Sequence, residues 1–133
     1  MTIEEYEPKT ILVVPAHHPT RSRFPFIDIH THHRDVSPAA LTGLLKDMDA
    51  LNMRIMVNSP VNGSWGDSTK RLADGFRAFN KDRFTTFTNI NFRGIGSPDW
   101  GAKAAAQLET DIRNGAAGLK VWKNFGLSEK DTD

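Results

Sequence analysis

Cysteine is absent from the 133 residues of the chain. Its absence removes disulfide frameworks, thiolate metal sites and cysteine nucleophiles together, so any metal must be held by imidazole, carboxylate or a modified lysine. Long apolar runs are missing as well. Nothing approaches the roughly 18 apolar residues needed to span a bilayer, and the opening Met1-Thr2-Ile3-Glu4-Glu5 is acidic where a secretory leader would be basic. The expectation is a soluble, cytoplasmic protein, with a leader ahead of Met1 left open. Charge of one sign is also lacking: 17 Lys and Arg stand against 16 Asp and Glu, a net charge of +1. Neither nucleic acid nor an anionic membrane is indicated as a partner, and the charge says little more. What remains, 38% hydrophobic and 25% charged residues, is the make-up of an ordinary globular domain.

Residues 1–25 are polar, hold Pro8, Pro15, Pro19 and Pro25, and form a lead-in segment. Its one apolar run, Ile11-Leu12-Val13-Val14, is expected to make a short strand. Four further apolar runs read as strands: Phe26 to His30, Met53 to Val57, Phe84 to Phe92 and Ala117 to Trp122. Their starts lie about thirty residues apart, the size of a βα unit. Between them, Ser37-Pro38 is an N-cap with proline at the first helical position, and Leu41, Leu44, Leu45, Met48 and Leu51 then share one face. A second helix should start near Asp67 or Ser68 and bury Leu72, Phe76 and Phe79, with Gly75 weakening it slightly. A third should run from about Pro98 to Asn114, bury Ala104, Ala105, Leu108 and Ile112, and stop at Gly115.

The order β-α-β-α-β-α-β implies a parallel sheet, as an open doubly wound sheet or as part of a closed barrel. After the fourth strand, Lys123 to Asp133 is polar and supplies no fourth helix, although parallel strands need cover on both faces. The expected fold class is therefore α/β, the N-terminal half of a (β/α)8 TIM-like barrel over 26–133, interrupted after the fourth strand. A complete barrel of this kind takes roughly 250 residues. Half a barrel leaves unpaired sheet edges, so self-association into a homo-oligomer is expected.

The stretch Phe24-Pro25-Phe26-Ile27-Asp28-Ile29-His30-Thr31-His32-His33 carries the chemistry. Strand side chains alternate between faces, which sends Asp28, His30 and His32 one way and Ile27 and Ile29 the other, toward covering helices. His30 and His32 then project at the C-terminal end of the strand, where barrel active sites form. Two imidazoles two residues apart on one strand can reach a single divalent ion, zinc foremost. His17 and His18 are adjacent, point apart, and read as surface residues; His33 has the wrong parity and belongs to the loop. Lys120, in Gly118-Leu119-Lys120-Val121-Trp122-Lys123, should face inward with Gly118 and Trp122, where a buried ammonium needs a partner such as Asp28. Trp65, in the loop after the second strand, either lines a pocket for a small-molecule substrate or packs the loop. Asn89 and Asn91, on the third strand, either bind substrate or satisfy one another.

The run FIDIHTHH resembles the first-strand motif of the amidohydrolase superfamily, and GAAGLKVWKNFG is similar to the fourth-strand region of its amidohydrolase 2 branch. Together the two cover about Phe24 to Gly126. The resemblance implies a distorted barrel that hydrolyses amide or ester-type bonds with a metal-activated water, His30 and His32 being metal ligands. It also implies that Lys120 stands where some members carry a carboxylated lysine bridging two metals. The family's later ligands come from the fifth and sixth strands, and its aspartate base from the eighth. None of those strands is in this chain, so by the resemblance the parent protein is the enzyme and the chain alone is inactive. Two other readings stay open: a metal-dependent decarboxylase of the same fold, and a non-catalytic α/β binding module.

Overall fold

The hydrophobic periodicity is realised as three helices and a small parallel sheet. β1 (Phe26–Thr31) pairs with β2 (Met53–Asn58), and β2 pairs with β3 (Phe84–Thr86). A second parallel pair joins β4 (Thr88–Asn89) to β5 (Leu119–Lys120). The helices are α1 (Pro38–Leu51), α2 (Asp67–Asn80) and α3 (Trp100–Arg113). This computed structural model describes residues 2–61 and 63–130; Met1, Asn62 in the loop before Trp65, and the last three residues of the tail through Asp133 lie outside it.

The third strand is shorter than the run Phe84 to Phe92, and it is interrupted at Phe87 because the chain changes partner there. The Phe87 N–H donates to the Asn58 carbonyl at 2.9 Å, whereas the next N–H, of Thr88, donates to the Gly118 carbonyl at 2.9 Å on the opposite side. Gly118 permits this. A Cβ at that position would lie 2.8 Å from Phe87 Cε1, inside van der Waals contact. The fourth strand likewise contracts from Ala117–Trp122 to two residues.

Each helix reflects its sequence signals. The Ser37 hydroxyl accepts from the Ala40 N–H at 3.4 Å, the capping bond that Ser-Pro foretells. At the other end of α1, Asn52 turns left-handed with φ 67°. Arg21 donates to the carbonyls of Asp49 and Ala50 and to Asn52 Oδ1, tying the end of the lead-in to the helix C-terminus. Leu41 and Met48 of α1, Met56 of β2, Leu72 and Phe76 of α2, and Phe84 of β3 form the buried core, with Phe76 stacked on Phe84 at 5.6 Å. Gly75, unfavourable in a helix by propensity alone, is required by packing: a Cβ there would sit 2.6 Å from Val36 Cβ.

Several expectations are corrected. Ile11 to Val14 forms no strand, and Ile11 and Val13 are each 96% exposed. Ile27 and Ile29, expected beneath helices, are 53% and 67% exposed, because α1 packs over β2 and β1 is an edge strand. Leu51 is also exposed. On α3, Ala104 is buried, but Ala105 and Ile112 face outward, and the inward stripe is Ala104, Gln107, Leu108 and Asp111. Asp111 draws the helix round by its hydrogen bonds. It accepts from the Gly66 N–H at 2.8 Å, the Thr88 hydroxyl at 2.7 Å and the Gln107 amide at 2.5 Å, enough to satisfy a fully buried carboxylate. No helix among the described residues is long and apolar enough to cross a membrane.

Candidate metal centre

β1 does not alternate cleanly up to its histidines. Asp28 aligns with Met56 and Thr31 with Asn58, so three steps on β1 match two on β2 and one extra residue bulges at Ile29–His30. Asp28 supports the irregularity itself: its Oδ1 accepts the His30 N–H at 2.9 Å. A bulge re-aims side chains, and here His30 and His32 come together, ring centroids 4.9 Å apart and edge to face at 87°.

His32 is oriented by the neighbouring strand. Its Nδ1 lies 2.5 Å from the Ser59 carbonyl oxygen, which assigns the proton to Nδ1 as the donor and leaves the Nε2 lone pair free. This is the arrangement by which metal-ligating histidines are usually fixed. The Ser59 N–H in turn donates to the Thr31 carbonyl at 2.8 Å. Alongside, fully buried Asn58 accepts the His33 N–H at 2.8 Å and donates to Thr86 Oγ1 at 3.2 Å, so the chain leaving β1 is held at both histidines.

Lys120 arrives from β5. Its Nζ stands 2.6 Å from His30 Nε2 and 5.3 Å above the Trp122 ring. Asp28 is not its partner, being engaged with the His30 backbone. Burial pushes the Lys120 amine below its ordinary value of 10.5. Trp122 closes the other side, 6.2 Å from His32 in a T-shaped contact. The Ser59 carbonyl and Trp122 are the members that motif reading does not single out. A main-chain oxygen leaves no mark in the sequence, and Trp122 is legible only as a neighbour of Lys120 on the same face.

The remaining expected residues lie elsewhere. Asn89 is fully buried, and its amide is turned to the chain itself: Oδ1 accepts the Ser64 N–H at 3.3 Å and Nδ2 donates to the Lys120 carbonyl at 3.1 Å. It clasps β4 to β5 behind the lysine. Trp65 is half-buried and lines a cleft with Asn91 and Arg93, apart from the histidines. Asn91 holds the Trp100 indole N–H through its carbonyl at 3.0 Å. His17 and His18 are exposed.

Two imidazoles with ring centroids 4.9 Å apart, one of them fixed in its tautomer by the Ser59 carbonyl, are of the donor type that suits a borderline ion such as zinc. Among the described residues no cluster of three or more His, Cys, Asp or Glu forms, so Lys120 is the third nitrogen within reach. Comparison with protein-family models, curated proteins and solved structures finds no match.

Proposed function

We propose that this chain carries the first-strand metal site of a metal-dependent hydrolase of the amidohydrolase kind, its parallel strands forming one side of a (β/α) barrel. The observation that carries the reading is the convergence of His30, His32 and Lys120 at the C-terminal ends of β1 and β5, the end of a parallel α/β sheet where ligands bind. His30 and His32 would hold a divalent ion through their Nε2 atoms, with Lys120 beside them. When bound, that ion supplies Lewis acidity toward a scissile amide or ester carbonyl and acidifies water.

The protein's own contribution is orientation and desolvation. The Ser59 carbonyl fixes the donor atom of His32, the Asp28 bond to the His30 backbone fixes the bulge that aims His30, and Trp122 shields the lysine from water. Lys120, near His30 Nε2, is placed to stabilise negative charge that develops beside the histidines. The test is cobalt binding by the chain, read from its absorption spectrum and repeated with His32→Ala. A saturable cobalt spectrum that is lost or altered in the variant supports the reading. Cobalt spectra identical with and without His32 contradict it.

A further inference from the structure

A cleft of about 250 Å³ opens directly beside His32, lined by His33, Arg34, Ser64, Ser68 and Arg71 among others. Its lining holds two arginines and two histidines and not one carboxylate, in a chain whose charges otherwise nearly cancel. Arg71 donates from one guanidinium nitrogen to the Arg34 carbonyl at 3.2 Å, which fixes it across the loop after β1 and leaves its other N–H groups available. Arg34 is exposed and enters none of the ion pairs of the described residues. Asp35, whose carboxyl feels the Arg71 charge, is already occupied in accepting the Ser37 N–H at 2.8 Å. Asp74 is paired with Lys70 and Arg77 farther along α2.

The wall of the cleft has a donor to spare. Ser64 is 8% exposed, and its backbone is committed: its N–H to Asn89, its carbonyl to the Thr69 and Thr88 hydroxyls and the Asn89 N–H. Its hydroxyl has no partner among the described residues. Close by, α2 begins at Gly66 with no side chain capping its first N–H groups. Two guanidinium forks, the free hydroxyl of nearly buried Ser64 and the start of α2, whose first turn also holds Asp67 outside the lining, present donors to a cleft lined by no carboxylate among the described residues, the pattern that recognises an oxyanion.

We propose that this cleft binds the oxyanion group, carboxylate or phosphate, of a small substrate. Its volume lies just under the range of pockets that enclose a drug-sized ligand, which suits a charged head with a short body. His32 is part of its lining, so an anion held by Arg34 and Arg71 would set the adjoining part of the molecule next to the histidine pair. Only that last step rests on the proposed hydrolase function; oxyanion binding itself does not.

The test titrates the full chain, treated with a chelator, with succinate and with inorganic phosphate at low salt, followed by amide chemical shifts. We expect saturable binding of at least one anion, weakened by added salt. Arg34→Ala should weaken it about tenfold or more and Arg34→Lys by less, since lysine keeps the charge and loses the fork. Arg113→Ala, outside the cleft, should leave it unchanged. Preference for succinate identifies a carboxylate substrate and preference for phosphate a phosphorylated one. Absence of saturable binding, or binding that Arg34→Ala and Arg71→Ala leave intact in folded protein, overturns the proposal. Zinc titration of the same samples separates the two readings. Anion binding through Arg34 without zinc binding at His30 and His32 removes the hydrolase reading alone, and zinc binding without either anion removes the cleft alone.

Discussion

Lys120 Nζ lies 2.6 Å from His30 Nε2, a contact between β5 and β1 made across the open side of the sheet. The two strands are not hydrogen-bonded neighbours, since β2 and the β3–β4 stretch lie between them. The three-stranded sheet and the β4–β5 pair must therefore be inclined to one another for the side chains to meet.

The first prediction concerns that contact. If Lys120 works with the histidines, Lys120→Met should lower zinc affinity by about tenfold, the scale seen when a supporting group beside a metal is removed. Calorimetry on both proteins decides it. Tighter zinc binding in the variant would make Lys120 a competitor for the His30 lone pair.

Gly75→Ala sets two effects against each other. Helix propensity favours the alanine by ~1 kcal/mol, but its Cβ would fall 2.6 Å from Val36 Cβ. Overpacking of this severity costs about 1–3 kcal/mol, so urea denaturation should show net destabilisation. A more stable variant would mean that Val36 yields without cost.

Asp111→Ala removes the acceptor shared by the Gly66 N–H, the Thr88 hydroxyl and the Gln107 amide. Leaving such buried donors unpaired should cost roughly 3 kcal/mol, and hydrogen exchange should rise around β4 and the start of α2. Unchanged stability would show that the network contributes nothing net.

The turn before α1 should report on acid. Bonds from the Ser37 backbone and hydroxyl hold the Asp35 carboxyl below its ordinary 3.8. A depressed folded-state pKa gives stability that is present above the unfolded value and is lost as pH falls through the folded one. Asp35→Asn should therefore flatten the acid limb of a melting-temperature profile taken below about pH 5. A profile parallel to that of the parent chain would contradict the assignment.

How much of this was legible in the sequence depended on whether one local rule decided the outcome. Ser37-Pro38 and the Leu41–Met48 stripe place α1 because cap and periodicity agree, and Gly115, at φ 105°, ends α3 as a left-handed residue should. The outward turn of Ile112 was not legible. Its apolar stripe is a good local pattern, and it lost to hydrogen bonds that Asp111 makes to Gly66 and Thr88, groups far off in sequence. Ile27 and Ile29 show the same limit, since alternation names a face and cannot say whether a helix covers it. At the site, His30 and His32 were readable from their spacing. The bulge that aims them was not, because it depends on register against β2.

The exposed edge supplies a further expectation. β1 has β2 on one side only, and Ile27 and Ile29 stand exposed on it, a combination that invites pairing between copies. Sedimentation should show concentration-dependent association that Ile27→Lys with Ile29→Lys reduces. A monomer at all concentrations would remove the homo-oligomer reading.

The central claim is that His30 and His32 bind one divalent ion, and zinc calorimetry on the chain and its His30→Ala, His32→Ala double variant tests it most directly. The account predicts saturable binding near one zinc per chain, weakened in the double variant by about a hundredfold or more, as loss of two imidazole ligands should do. Equal affinity in the two proteins would contradict it.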